Sequence, residues 1–295
     1  MLILLFFLLG ACISVLSGFF GVGGGFILTP LLMLFGYSPI EAITTSLLFT
    51  LGTSLSGITT HIRYKNILWK NGIILGISGV ASTQLAKPFV IYLENKGIDE
   101  WVIPIFYIIL LSYFAMKMFK QGRKSSGAAD EKTAHPSVIK MFFIGVFAGF
   151  VSATLGVGGG FIIVPLSVAF LGFEPKKAIG TSLFTIFLIV PAAFLSYAFT
   201  VPIDFKVSLL LVAGGLIGSS FGAKLTRYYE NKEISLLLSS IYIATLISVA
   251  LKLMGLNVVG LILLGCFILY FFIKSIIKVQ RYKVERDMGT GTSSQ

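Results

Sequence analysis

The sequence Ser17-Gly-Phe-Phe-Gly-Val-Gly-Gly-Gly-Phe-Ile-Leu-Thr-Pro30 recurs in the second half of the chain as Ser152-Ala-Thr-Leu-Gly-Val-Gly-Gly-Gly-Phe-Ile-Ile-Val-Pro165. Nine of the fourteen positions are identical. After a one-residue shift the match continues, with Thr45-Ser46-Leu47 aligned to Thr181-Ser182-Leu183. A match of this extent indicates that the chain duplicates one structural unit of about 135 residues.

The composition is that of a membrane protein. Of the 295 residues, 56% are hydrophobic and only 12% are charged, and the mean hydropathy is +0.95. Soluble domains carry roughly 25% charged residues. At about 20 residues per spanning helix, the apolar stretches predict about eight to ten membrane segments. The net charge of +11 comes from basic residues at the ends of these segments, and no nucleic-acid partner is expected.

Both halves have the same order of apolar segments. An apolar helix (2–20 and 138–155) leads to the glycine run, and a short apolar segment (26–36 and 161–171) follows it. The longer segments are 40–60, 69–92 and 99–119, then 176–199, 206–227 and 233–252, and finally 256–278. The short segments are about 16 Å long as helices, which is half a bilayer. They are predicted to be half-helices that begin at a glycine break.

The predicted fold is an all-α polytopic membrane protein with two inverted-topology repeats. Each repeat is a glycine-broken helical hairpin followed by three spanning helices, and one extra helix follows at the C-terminus. The predicted parts are a first repeat (1–119), a cytoplasmic linker (120–137), a second repeat (138–253), an additional transmembrane helix (254–279) and a cytoplasmic tail (280–295).

The distribution of basic residues predicts the orientation. If each opening hairpin returns to its own side and the tail is inside, only four of the 23 Lys and Arg residues lie at outer ends: Lys87, Lys96, Lys206 and Lys252. The alternative, in which each opening pair crosses once, divides them almost evenly. The positive-inside rule favours the first scheme. It places the N-terminus outside and the C-terminus inside, and it makes the second repeat inverted, as in alternating-access transporters.

The glycine runs are the candidate binding site. Glycine leaves backbone N–H groups uncovered and permits positive φ, so that several amides can converge on one anion. The N-terminus of the following half-helix adds free N–H groups and the positive end of its dipole. The alternative is that the glycines only allow close helix packing. The candidate ligands are the amides of Gly23, Gly24, Gly25, Gly158, Gly159 and Gly160.

Hydroxyl groups are the second set of candidates. Thr45, Ser46, Thr181 and Ser182 follow the half-helices, and Ser17 and Ser152 precede the glycine runs. Hydroxyls can donate to an oxyanion without the cost of a buried charge. The alternative is that they bond back to their own helices.

Charged and titratable candidates are few. Lys87, beside Gln84, either attracts anions into an outer vestibule or extends towards the membrane surface. His61 is a candidate proton switch, and His135 lies in the linker. None of the twelve acidic residues falls in the middle of a spanning segment. The hypothesis that follows is potential-driven anion export, which needs no coupling ion.

The doubled Gly-x-Gly-Gly-Gly-Phe run ending in Pro, followed by Thr-Ser-Leu, resembles the TauE/SafE family, also called the toluene-sulfonate uptake permease family. The resemblance covers nearly the whole chain. It implies a plasma-membrane transporter of sulfite, organosulfonates or related small anions. It carries a role to motif positions in both halves, including Phe26, Pro30, Phe161 and Pro165. Gly180 replaces Thr44, so the site need not be symmetric.

The predicted function is transport of a small sulfur-containing or carboxylate anion held near the bilayer midplane. Alternatives are a passive anion channel and, less favoured, a membrane scaffold or an embedded enzyme. An enzyme is not expected, because no cluster of catalytic side chains falls at membrane depth. No cofactor or metal is expected, and the predicted partners are the anion, the lipid bilayer and, as an open question, further copies of the chain.

Overall fold

The computed structural model describes residues 2–123, 137–199, 201 and 204–291. In these residues the chain is helical, without strands. The first half contains α1 (Leu2–Phe20), α2 (Gly25–Leu34), α3 (Pro39–Arg63), α4 (Trp69–Asn95) and α5 (Asp99–Arg123). The second half contains α6 (Val138–Leu155), α7 (Gly160–Phe170), α8 (Pro175–Ala198), α9 (Phe205–Leu225), a 3₁₀ turn (Thr226–Tyr228), α10 (Asn231–Leu253) and α11 (Asn257–Gly291).

Nine of the described helices are long and apolar enough to cross a membrane, and α2 and α7 are the two short apolar helices between them. The all-α membrane fold and the two short segments predicted from the sequence are therefore confirmed. Several helices continue beyond the predicted spans: α3 ends at Arg63, α4 at Asn95 and α5 at Arg123, and α11 continues furthest, to Gly291. A helix satisfies its own backbone groups, so it does not have to end where the bilayer ends. His135 and most of the predicted linker lie outside the described residues.

Local sequence signals begin the helix that follows each half-helix. Pro39 and Pro175 occupy the first helical positions of α3 and α8, where the missing N–H group of proline costs nothing. At α3, Ser38 and Glu41 form a reciprocal capping box, with the Ser38 N–H group donating to Glu41 Oε2 over 3.1 Å. These signals turn the chain sharply after each half-helix and return it alongside the short segment.

The opening helix of each half packs against the other half. α1 packs along α9, and α6 packs along α4. Backbones approach closely because glycines lie at the contacts: Gly18 faces the Ser219 carbonyl, and Gly149 faces the Gly79 carbonyl. Small residues permit this close approach between membrane helices. The two halves are therefore interlocked, and each glycine break is held by helices of both halves.

Candidate functional site

Two breaks in the helices lie at the centre of the protein. The first break (residues 21–25) separates α1 from α2, and the second break (residues 156–160) separates α6 from α7. The glycines at the breaks adopt positive φ angles: 67° at Gly21, 68° at Gly23, 70° at Gly156, 75° at Gly158 and 80° at Gly159. Side chains other than hydrogen are strained in this region. Neither stretch is a continuous helix, in agreement with the predicted breaks.

The two breaks contact each other reciprocally. A Cβ atom on Gly25 would collide with the carbonyl oxygen of Gly156. A Cβ atom on Gly160 would lie 2.5 Å from the carbonyl oxygen of Gly21. The packing interpretation of the glycines therefore explains Gly25 and Gly160.

The packing interpretation also applies to Gly23, Gly24 and Gly158. A Cβ atom added to Gly23 would lie 2.8 Å from Thr50. A Cβ atom added to Gly24 would collide with Phe49, and one added to Gly158 would collide with Thr50. Packing does not explain the positive φ angles or the backbone N–H groups that have no acceptor.

Most of the candidate amides have no protein acceptor. The Gly25 N–H group donates to Thr50 Oγ1 over 3.1 Å. For the other five candidate N–H groups, no acceptor is found within the described residues. They are those of Gly23, Gly24, Gly158, Gly159 and Gly160. Every residue of both breaks is buried. Buried N–H groups without partners are rare and costly, so these groups are available to a ligand.

The six candidate hydroxyls divide into two groups. Ser17, Ser46 and Ser152 are fully buried, and their Oγ atoms have no hydrogen-bond partner among the described residues. Ser17 and Ser152 occupy equivalent positions, each four residues before the first glycine of its break. Thr45 is also buried, and no hydrogen bond is found for its side chain in the described part of the chain.

The other two hydroxyls are used within the protein. Ser182 Oγ donates to the carbonyl oxygen of Gly21 over 2.8 Å. Thr181 Oγ1 accepts from the Leu68 N–H group over 3.0 Å and fastens the α3–α4 connection to α8. Ser182 therefore holds the first break through a direct hydrogen bond. The hydrogen bond of Thr181 does not involve a residue of either break.

Two central side chains, Thr50 and Ile186, were not among the sequence candidates. They occupy equivalent positions on α3 and α8, five residues after Thr45 and Thr181. Cβ atoms built on Gly23 and Gly158 would contact both of them. Thr50 Oγ1 accepts a hydrogen bond from the N–H group of Gly25. At the equivalent position, the Cδ1 methyl group of Ile186 would lie 2.5 Å from a Cβ atom built on Gly160. Thr50 could have been predicted, because it places a hydroxyl group in the middle of an apolar segment. Ile186 could not, because the sequence does not distinguish it from other apolar residues of α8.

Three buried tyrosines hold the second break. The hydroxyl of Tyr107 donates to the Leu155 carbonyl over 2.7 Å, and that of Tyr242 donates to the Phe161 carbonyl over 2.9 Å. Tyr197 donates to the carbonyl of Ala153 over 3.0 Å. A tyrosine inside a membrane protein needs a partner for its hydroxyl, and these carbonyls at helix ends provide it. Sequence reasoning missed this role, although a mid-helix tyrosine is a signal for it.

The remaining candidates lie away from the breaks. Lys87 is half-buried and lines a surface cavity of about 360 Å³ with Tyr92 and Asn95 near the end of α4. Gln84 Oε1 accepts from Ser196 Oγ over 3.4 Å. No hydrogen bond joins Lys87 or Gln84 to either break in the described residues. No group of metal-ligating side chains is found in them.

The environment of the breaks is neutral. Among the described buried residues there is no lysine or arginine. His61 contacts α1 near the first break, with its Nε2 atom 3.4 Å from the Gly18 carbonyl oxygen. An anion at the breaks would therefore be bound by backbone amides and hydroxyls, with the half-helix dipoles directed towards it.

Comparison with known proteins places this arrangement among membrane transporters. The family model for Sulfite exporter TauE/SafE matches residues 6–253. Probable membrane transporter protein YunE of Bacillus subtilis is 26% identical over 261 residues, covering 80% of this chain and 92% of that protein. A probable membrane transporter protein of Methanocaldococcus jannaschii is 26% identical over 257 residues, covering 82% and 92%. One from Haemophilus influenzae is 33% identical over 192 residues, covering 62% and 68%. No solved structure matches the chain.

Proposed function

Since this chain belongs to the sulfite exporter TauE/SafE family of membrane transporters, we propose that it carries a small sulfur-containing or carboxylate anion, bound between the two glycine breaks. The observation that supports this proposal is the set of buried backbone N–H groups without acceptors at Gly23, Gly24, Gly158, Gly159 and Gly160. Such groups are costly unless a ligand or water accepts from them.

Sulfite and sulfonate groups match these donors chemically. Each has three oxygen atoms, and each oxygen can accept more than one hydrogen bond. The unpartnered Ser17 and Ser152 hydroxyls lie at equivalent positions before the two breaks. The Ser152 Cβ atom lies 3.4 Å from a Cβ atom built on Gly159. The Ser152 side chain therefore lies beside Gly159, and in this proposal its hydroxyl and the Gly159 amide donate to the same anion.

The two breaks are not equivalent binding surfaces. The Gly25 N–H group already donates to Thr50, whereas Ile186, at the position equivalent to Thr50, has no acceptor atom to offer the Gly160 N–H group, for which the described residues provide no partner. Each break has three successive N–H groups without an acceptor in the described residues, Val22 to Gly24 and Gly158 to Gly160. Only in the second break do they include the first residue of the half-helix, Gly160. We place the main anion contact at the second break, with Ser152 as its hydroxyl ligand.

An inverted arrangement of the two repeats would make this site accessible alternately from each side. α3 runs in the same direction as α9, and α4 runs in the same direction as α8. Along α3 and α9, Gly52 faces Val212 and Gly57 faces Ser219, so the residue numbers rise together. The same holds for α4 and α8, where Gly72 faces Phe184 and Gly79 faces Ile189. α3 and α4 are joined by a short turn and run in opposite directions. The equivalent helices α3 and α8 are then antiparallel, which supports inversion.

The buried breaks correspond to an occluded conformation in this proposal. An anion can reach the amides only if the contact between Gly25 and Gly156, and the reciprocal contact between Gly160 and Gly21, loosens. Rocking of one repeat against the other would loosen it on one side at a time. We place the protein in the plasma membrane, with its N-terminus outside and its C-terminus inside.

Transport assays on purified protein in proteoliposomes test this function. Efflux of radiolabelled sulfite should saturate with concentration and should be accelerated by unlabelled sulfite on the opposite side. A panel of thiosulfate, sulfoacetate, sulfate and small carboxylates then defines the substrate by competition. Flux that rises linearly with concentration and shows no counterflow would instead indicate an anion channel, and no anion flux at all would reject the proposal.

A further inference from the structure

A second cavity, which none of the glycine-break residues lines, lies between α9 and α11. Its volume is about 350 Å³. The residues that line it come from the end of α3, from α9 with the 3₁₀ turn, and from α11: Tyr64, Phe221, Lys224, Leu225, Arg227, Tyr228, Phe272, Ser275, Ile276, Val279 and Gln280. α11 is outside the duplicated unit and is the candidate span least covered by protein. The cavity therefore opens towards lipid.

Two cations at this cavity lack acidic partners. In the described residues one ion pair is found, between Lys278 and Glu233 at 2.8 Å. Neither Lys224 nor Arg227 takes part in it, and both are exposed. The Glu230 N–H group donates to Glu233 Oε2 over 2.9 Å at the start of α10, and no ion pair joins the Glu230 carboxylate to Lys224 or Arg227 in the described residues. The positive charges of Lys224 and Arg227 are thus available to an anionic ligand.

Aromatic side chains hold the guanidinium group at the edge of the cavity. Arg227 lies 4.6 Å from the centroid of the Tyr228 ring and donates a hydrogen bond to the Tyr228 hydroxyl. The Tyr64 side chain lines the same cavity. Arginine held in this way loses little further freedom when it binds a phosphate. The site is therefore organised before a ligand arrives.

The lining changes from apolar to polar along the membrane normal. α9 and α11 both approach the same membrane surface here, and along each the residues met first are Phe221 and Phe272. The polar lining residues come later along the same path, nearer the membrane surface: Lys224 and Arg227 after Phe221, and Gln280 after Phe272. An anionic phospholipid has the same order, with acyl chains in the core and a phosphate at the surface. Basic pockets between membrane helices bind such headgroups.

We infer that this cavity is a binding site for an anionic phospholipid, with its phosphate on Lys224 and Arg227 and an acyl chain along Phe221, Phe272 and Ile276. In the predicted orientation the lipid belongs to the cytoplasmic leaflet. A freely diffusing anion would gain the contacts to the two cations but would leave the exposed apolar lining, including Ile276, uncovered. The apolar part of the cavity therefore selects the lipid over the free ion.

Native mass spectrometry of the full-length protein tests this inference, with phosphatidylglycerol and phosphatidylcholine of the same acyl chains as probes. The Lys224→Gln/Arg227→Gln double variant should bind phosphatidylglycerol at least roughly 10-fold more weakly, since each basic residue near the surface contributes to anionic lipid binding. Its binding of phosphatidylcholine should not change. The matched control is Lys206→Gln/Lys252→Gln, two half-buried or exposed lysines elsewhere in the protein, which should bind both lipids as the unmodified protein does.

Two further outcomes decide between the sources of the phosphate group. Millimolar inorganic phosphate should neither displace phosphatidylglycerol nor raise the melting temperature of the delipidated protein, whereas phosphatidylglycerol should raise it. Displacement by phosphate at these concentrations would show a site for free anions and overturn the inference. Equal loss of both lipids in the double variant, or equal loss in the control variant, would overturn it as well. None of these measurements depends on anion transport.

Discussion

The hydroxyl of Ser182 donates to the carbonyl oxygen of Gly21 over 2.8 Å, so a helix of the second half fixes the first glycine break. For the equivalent hydroxyl, that of Ser46, no hydrogen-bond partner is found in the part of the chain that the structure describes. In its place Thr29 Oγ1 lies 3.4 Å from the carbonyl oxygen of Gly156. Two residues that occupy the same place in a duplicated sequence therefore have different functions: one is structural and the other remains available.

We expect Ser182→Ala and Ser46→Ala to separate these functions. Ser182→Ala leaves the buried Gly21 carbonyl without its partner and should lower the free energy of unfolding by about 1–3 kcal/mol. Ser46→Ala removes no hydrogen bond and should leave stability within about 0.5 kcal/mol of the original. If Ser46 contacts the anion, its variant should raise the KM for transport several-fold. Thermal unfolding in detergent and concentration-dependent flux measure both effects, and equal destabilisation by the two variants would contradict the assignment.

Gly159→Ala should abolish transport without preventing folding. Gly159 has a φ of 80°, and an added methyl group would lie 3.1 Å from the Ala148 carbonyl oxygen and 3.4 Å from the Ser152 Cβ atom. The methyl group would therefore cover the proposed anion contact. The left-handed backbone adds about 1–2 kcal/mol of strain.

The matched control for that variant is Gly172→Ala. Gly172 has a φ of 70° with nothing within 4 Å of an added Cβ atom. It should carry the same backbone strain and keep its flux, with both variants reaching the membrane in similar amounts. Loss of flux in both variants would attribute the effect to strain rather than to the site.

Thr50 and Ile186 allow the asymmetry between the breaks to be reversed. In Ile186→Thr a hydroxyl stands at a γ position, as in Thr50, and we expect it to compete with the anion for the Gly160 amide, so the KM should rise. Removal of the buried δ-methyl group should cost about 1 kcal/mol of stability. In Thr50→Val the Gly25 amide loses its 3.1 Å acceptor, which should destabilise the protein by about 1–3 kcal/mol. Flux titrations and thermal unfolding of both variants test this, and an unchanged KM in Ile186→Thr would argue against the second break as the main contact.

The tyrosine hydroxyls should matter for stability more than for substrate binding. Tyr107→Phe and Tyr242→Phe each remove a hydrogen bond to a carbonyl at an end of the second break, over 2.7 Å and 2.9 Å respectively. Each should cost about 1 kcal/mol and lower the melting temperature by a few degrees. The KM should stay within about two-fold of the original. A large increase in KM with unchanged stability would place these hydroxyls on the anion instead.

Efflux should follow the membrane potential and not the proton gradient. An inside-negative potential of 100 mV favours outward movement of one negative charge by about 2.3 kcal/mol. Vesicles polarised with a potassium gradient and valinomycin should therefore accelerate efflux of a monovalent alkyl sulfonate. His61 is bonded through neutral partners only, the Gly18 carbonyl at 3.4 Å and Asn66 Nδ2 at 3.5 Å. Accordingly His61→Gln should keep the same pH profile. Flux that requires an inward proton gradient would overturn export by potential alone.

Much of the architecture could be predicted because its signals are local. Except at the C-terminal end of α11, which continues to Gly291, the apolar length of each segment predicted a helix to within a few residues of its observed ends. The positive φ angles at Gly21 and Gly156 occur in glycine runs that the sequence already marks as breaks. The partners of the hydroxyls could not be predicted in this way. Ser46 and Ser182 have the same neighbours in sequence, and only the opposite half determines which of them finds a carbonyl.

The sequence by itself determined the membrane class, the duplication, the segment boundaries and the two breaks, because hydropathy and glycine content act within one segment. The tertiary structure alone decided that the breaks touch, that Thr50 occupies one amide while Ile186 leaves its counterpart free, and that three tyrosines hold the second break. These contacts join residues tens of positions apart. Their partners depend on how α1 and α6 pack across the two halves, and no local pattern records that packing.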